Sequence, residues 1–118
     1  MILIAVDDLL FSSKIRSTAK RVGAEILFTR TPDEILREAR ARRPALVIFD
    51  LNSEKADPIA TIRTLKADPE LASVRALGFV SHVRADLIGA AREAGAEVLP
   101  RSAFAAGLGD ILKGAGAP

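Results

Sequence analysis

The sequence predicts an α/β fold: a doubly wound parallel sheet of five strands, covered by helices on both faces, in one domain over residues 1–118. Three observations carry this reading. Five short apolar runs alternate with five stretches whose apolar residues recur at helical spacing, and the connections between them are a few residues long. Four of the apolar runs stop abruptly at polar or charged residues. Strand and helix in strict alternation require crossover connections, and right-handed crossovers leave few topologies besides a parallel sheet.

The first run, residues 2–6, is apolar throughout and meets Asp7 and Asp8. Phe11, Ile15, Ala19 and Val22 then mark a first helix closed by Gly23, a residue suited to a helix C-terminus. A second strand is expected over residues 24–28. Thr31, Pro32 and Glu34 supply an N-cap, a proline at the first helical position and a capping-box acid for a second helix ending near Arg42. Ala45, Leu46, Val47, Ile48 and Phe49 form the longest buried run. It is too short for a helix, is rich in β-branched and aromatic residues, and delivers Asp50 at its end.

Asp57 and Pro58 restart a helix, with Asp57 as its cap and Ile59, Ile62 and Leu65 on its buried side. A fourth strand, residues 76–80, stops at Ser81 and His82; Leu87, Ile88, Ala91 and Ala94 mark a fourth helix closed by Gly95. Glu97, Val98 and Leu99 lead through Pro100 to Arg101, and Phe104, Leu108, Ile111 and Leu112 define one last helix. Residues 114–118 are expected to fray. No internal repeat, linker or low-complexity segment interrupts the pattern.

Composition excludes several classes of function. Hydrophobic residues make up 49% and charged residues 27%, the balance of an ordinary globular domain. With no Cys, thiolate metal sites, cysteine nucleophiles and disulfides are excluded together. Five Phe and no Tyr or Trp leave little for stacking on nucleobases. Arg37, Arg40, Arg42 and Arg43 fall at helical spacing and read as a solvated face, so neither nucleic acid nor membrane is an expected partner. The apolar start has no basic segment before it and runs into acids, unlike a signal peptide or membrane span; the expected location is cytoplasmic.

The candidate site consists of the strand-ending residues. Asp50 alone reads equally as a helix-capping residue or a functional carboxylate. Together, Asp7, Asp8, Asp50, Ser81 and Arg101 fall along the carboxyl edge of the sheet, where open parallel sheets bind ligands. Three gathered carboxylates raise one another's pKa, and a hard cation relieves the repulsion. Mg²⁺ suits the inventory, since it takes one or two carboxylates and keeps waters or phosphate oxygens, whereas zinc would want Cys or more than one His.

Five pieces in order, Val6-Asp7-Asp8, Phe49-Asp50, the segment 65–71 before the fourth strand, Val80-Ser81 and the segment 91–96, resemble the receiver domain of two-component response regulators, the CheY-like family. The resemblance covers residues 2–112 and implies the strand order 2-1-3-4-5. It further implies a stand-alone signalling domain whose Asp50 accepts a phosphoryl group from a sensor histidine kinase or phosphotransfer protein. Mg²⁺ would be held by Asp7, Asp8, Asp50 and the backbone carbonyl of Asn52. Ser81 would hydrogen bond the phosphoryl group and report it, and Arg101 would stand in place of the family Lys. Catalysis would be limited to phosphoryl transfer and dephosphorylation on the domain itself, with output to a protein through helix four, strand five and helix five.

The sequence departs from that family at several points. Arg101-Ser102 stands where Lys-Pro is usual, Val98 replaces an aromatic residue and His82 a small one, and Leu9-Leu10-Phe11 is more apolar than the family's segment. These departures define the alternative, a pseudo-receiver adaptor that binds partners without phosphorylation. A phosphohydrolase built on Asp50-Leu51-Asn52 is a weaker rival, because Asn52 stands where a second Asp would be needed.

Overall fold

The computed structural model describes residues 1–82 and 84–116. In chain order the elements are β1 (Ile2–Ala5), α1 (Leu9–Val22), β2 (Ile26–Phe28), α2 (Pro32–Arg42), β3 (Leu46–Asp50), α3 (Pro58–Ala67), β4 (Arg75–Val80), α4 (Ala85–Ala94), β5 (Glu97–Pro100), α5 (Arg101–Ala106) and α6 (Leu108–Ala115). All strands pair in parallel in the order β2-β1-β3-β4-β5, the order expected. No helix among the described residues is long and apolar enough to cross a membrane.

Strand alternation divides the interior into two cores. Leu3, Ala5, Val47 and Phe49 point to one face, where α2, α3 and α4 contribute Ile35, Ile62, Leu65 and Ala91. Ile2, Ile4, Leu46 and Ile48 point to the other, against α1, α5 and α6 through Phe11, Ile15, Phe104, Leu108 and Leu112. Residues Leu46, Val47, Ile48 and Phe49 are fully buried, which is why the central strand reads as an unbroken apolar run.

Local chemistry fixes most boundaries. The Thr31 hydroxyl accepts from Glu34 N at 3.2 Å, and Glu34 Oε1 accepts from Arg30 N at 2.6 Å, so the start of α2 is capped from both directions. Gly23 and Gly95 end α1 and α4 with φ of 74° and 110°, in the left-handed region that glycine enters without a Cβ penalty. Strand β2 is two residues shorter at its start than expected, and β3 extends to include Asp50.

Three expectations are corrected. The last helix is two helices, α5 beginning at Arg101 and α6 following Gly107, whose φ of −95° and ψ of 6° bend the chain. Residues 114–116 do not fray. Gly114 and Ala115 belong to α6, Gly116 O accepts from Glu25 N at 2.8 Å, and a Cβ on Gly116 would collide with that of Ala24. The Met1 ammonium also donates to Ala115 O at 3.5 Å, so the tail is packed against the entrance of β2; residues 117–118 lie outside the described residues. Asp57 sits at the N-cap position of α3 but its side chain makes no capping bond, because its φ of 40° turns the backbone into the left-handed region. The Thr61 hydroxyl fastens the start of α3 in another way, donating to Ala56 O at 2.8 Å and to Asp57 O at 2.9 Å.

Candidate functional site

Asp50 is the last residue of the central strand, half-buried at the carboxyl edge. Asn52 N donates to its Oδ1 at 2.9 Å, an Asx turn that reverses the chain as it leaves β3. Burial is the largest influence on its pKa and raises it above the ordinary carboxylate value. The Asn52 N–H and the Arg101 charge oppose that rise, while Asp7 and Asp8 add to it. Asp50, Asp7, Asp8 and Arg101 thus form one electrostatic unit, as their strand-end positions imply.

The two acids after β1 are held differently. Ser53 Oγ donates to Asp7 Oδ2 at 2.9 Å, which ties the end of β1 to the loop after β3. Asp8 is the N-cap of α1: its Oδ1 accepts from Phe11 N at 2.9 Å, and its Oδ2 lies 3.5 Å from the Arg101 guanidinium. That guanidinium sits over the Phe11 ring, 4.5 Å from its centroid. Phe11 in turn packs on Phe79 at 5.1 Å and Phe104 at 5.7 Å, and the last two stack at 4.7 Å. Arg101 therefore leans across the start of α1 instead of pairing with Asp50.

Ser81 follows β4 and is held by its backbone. Its N–H donates to Asn52 Oδ1 at 2.8 Å, and the His82 N–H reaches the same oxygen at 3.4 Å. The family resemblance implies only a backbone role for Asn52; in the structure its side chain bridges the two loops that flank Asp50. The sequence carries part of this signal, because an Asn two residues after an Asp at a strand end suits such turn chemistry, but its acceptor duty depends on β4 lying alongside.

Among the described residues, no group of three or more His, Cys, Asp or Glu side chains is arranged to hold a metal ion. The expected gathering of all three carboxylates into one cluster is thus not found, since Asp8 is turned toward α1 and Arg101. The donors are nonetheless all oxygen, and a Mg²⁺ site needs only one or two carboxylates. Asp7 and Asp50 each commit one carboxylate oxygen to the hydrogen bonds above and keep a second. The residues therefore suit the ion in kind, through Asp7, Asp50 and the Asn52 carbonyl.

A cavity of about 400 Å³ lies elsewhere: Arg75, Leu77, Glu97 and Leu99 line it at the amino ends of β4 and β5. Near the acids the conspicuous surface feature is apolar. Leu9 and Leu10 begin α1 with 82% and 86% exposure, the only exposed large hydrophobic residues among those described.

No family model and no curated protein matches the chain. Solved structures do. A response regulator from Hahella chejuensis superposes with a TM-score of 0.83 at 17% identity, over 94% of this chain and 90% of that one. A putative response regulator from Chloroflexus aurantiacus gives 0.82 at 19% identity, over 96% and 93%. The phosphorylated cyanobacterial phytochrome response regulator RcpA gives 0.78 at 24% identity, over 96% and 88%. The fold is that of CheY-like receiver domains, over 94–96% of the chain.

Proposed function

We propose that this chain is a signalling receiver in which Asp50 accepts a phosphoryl group from a histidine-bearing donor protein, and that this modification controls a protein contact. The observation that carries the reading is Asp50 itself, a half-buried carboxylate at the carboxyl end of the central strand, with Asp7, Asp8 and Arg101 all within electrostatic reach. The phosphorylated state of RcpA, a protein of the same fold, supports it.

Each residue then has a task. The Asn52 N–H bonds Asp50 Oδ1 and so fixes the orientation of the attacking carboxylate. A carboxylate needs no base to attack phosphorus, and burial makes this one more nucleophilic than a solvated aspartate. As the new O–P bond forms, the donor's N–P bond breaks and its imidazole takes up a proton. Mg²⁺, held by Asp7, Asp50 and the Asn52 carbonyl, would neutralise charge on the phosphoryl oxygens. The Ser81 hydroxyl would hydrogen bond one of those oxygens, pulling on the Asn52 bridge that holds its backbone. Catalysis in this reading is confined to transfer onto and hydrolysis from Asp50.

A donor must approach across the carboxyl edge, and there it meets Leu9 and Leu10. We assign these two residues to donor docking, and the surface of α4, β5 and the two last helices, α5 and α6, to the output partner. The pseudo-receiver alternative draws on one observation, the engagement of Asp8 by Arg101. Incubation with acetyl phosphate or beryllofluoride plus Mg²⁺ separates the two. The receiver reading expects an adduct by intact-mass or fluorine NMR measurement that is lost in Asp50→Asn, and absence of any adduct in the native chain overturns it.

A further inference from the structure

We propose that the cavity of about 400 Å³ between α6 and the amino ends of β4 and β5 is a binding site for a small molecule with an apolar body and one basic group. The inference is independent of the reading of Asp50, which lies at the opposite end of the sheet.

The cavity follows from the way the last helix is divided. Gly107 bends the chain, and α6 then buries Leu108, Leu112 and Ala115 in the core it shares with α1. Ile111 is left only partly buried and lines the opening together with Leu99 of the edge strand β5. Leu77, itself buried, completes an apolar wall. A space of this size falls at the lower end of the range for small-molecule pockets, roughly 300–1,000 Å³.

Gly114 holds the space open. It lies in the last turn of α6 without a positive φ, and a Cβ built on it meets nothing within 4 Å, so neither turn geometry nor close packing calls for glycine there. Glycine within a helix costs stability relative to alanine. A larger side chain at this position would occupy the cavity that Gly114 lines.

Charge selects the ligand. Arg75 Nε and Nη2 donate to Glu97 Oε2 at 3.1 and 2.9 Å, so these two side chains neutralise one another. Asp110 lines the same cavity, is exposed, and has no ion-pair partner among the described residues. The lining therefore carries one unmatched negative charge, in a protein whose net charge is +2. A basic group on an apolar body answers both features. An anion would be repelled by Asp110 and would find Arg75 already engaged.

The test is titration of the native chain with phenylbutylamine, phenylbutanol and phenylbutyrate, one apolar body with three head groups, followed by methyl NMR. The amine should give saturable shifts at Leu77, Leu99 and Ile111 and none at Ile35 or Ile62 on the other face of the sheet. It should bind roughly threefold to fivefold more tightly than the alcohol, the scale of one exposed ion pair, with the carboxylate weakest. Asp110→Asn should remove the advantage of the amine and leave the affinity for the alcohol unchanged. Gly114→Leu should abolish binding of all three while its circular dichroism stays native and its Tm does not fall; Gly114→Met is a second filling variant with the same expectation. No saturable shift with any probe, binding retained in either folded filling variant, phenylbutyrate binding as tightly as the amine, or an amine advantage that survives Asp110→Asn overturns the proposal. Shifts of the same methyls on dilution of the chain alone would identify a second copy as the occupant and overturn it as well. The Asp50 adduct is read in its own assay, so failure of either reading leaves the other standing.

Discussion

The two ends of the sheet use charge in opposite ways. At the amino end, charges are matched: Arg75 pairs with Glu97 at 2.9 Å, Arg40 with Asp68 at 3.5 Å and Arg43 with Glu70 at 3.6 Å, all partly open to solvent. Lys66 adds a tether there, its ammonium donating to Val74 O at 2.7 Å. At the carboxyl end Asp8 meets Arg101 at 3.5 Å, whereas Asp50 is held by the Asn52 N–H and its pKa is raised, chiefly by burial. Matched surface pairs contribute little stability individually, but they cost little as well. A half-buried carboxylate such as Asp50, its pKa raised by burial, carries a cost that full pairing would have removed, which is why it is the candidate for function at this edge.

The sharpest break of this contrast is Asp50→Asn. It should abolish adduct formation entirely while leaving the fold intact, as seen by circular dichroism. The sign of its effect on stability also distinguishes the two ends. The folded pKa of Asp50 is raised, so the native state holds this proton more tightly than the unfolded chain does, and ionisation of Asp50 opposes folding at neutral pH. That penalty is present above the raised pKa and disappears as pH falls through it toward the ordinary value. The stability difference between Asp50→Asn and the native chain should therefore shrink on acidification, measured by urea unfolding across the acidic range.

A core substitution reaches the same end indirectly. A Cβ on Gly78 in β4 would lie 2.7 Å from the Leu51 side chain, which directly follows Asp50. Gly78→Ala should cost about 1–3 kcal/mol in urea unfolding through overpacking, and should disturb the amide resonances of residues 50–53 by displacing Leu51. Next in size is Asn52→Ala. Loss of the acceptor for Ser81 N should cost about 1 kcal/mol and speed hydrogen exchange at Ser81 and His82. Smallest is Arg75→Ala at the amino end, with a cost below about 1 kcal/mol that vanishes at high salt and no change in adduct yield. An amino-end variant that altered the adduct would dissolve the distinction between the two ends.

Most of this architecture is legible in the sequence because it depends on near neighbours. Alternation of apolar runs and helical periods marks the five strands, and the polar residues that end them locate Asp7, Asp8, Asp50, Ser81 and Arg101 on one edge. Helical spacing also puts Phe11 and Ile15 inward, which leaves Leu9 and Leu10 pointing out. What escapes depends on partners distant in the chain. The packed tail needs Ala24 and Glu25; the bridging role of Asn52 needs the turn after β4; and the orientation of Arg101 needs the Phe11 ring. The side chain of Asp57 escapes for a local reason: residue type favours capping, whereas its backbone is turned out of the required conformation.

The closure of the tail on the entrance of β2 makes the molecule polar in a practical sense. Met1 and Ala115 meet within 3.5 Å on the side of the sheet remote from the acids. A label or tether attached at Met1 or at Ala115 would therefore leave Asp50, Leu9 and Leu10, at the opposite end of the sheet, free of the attachment point.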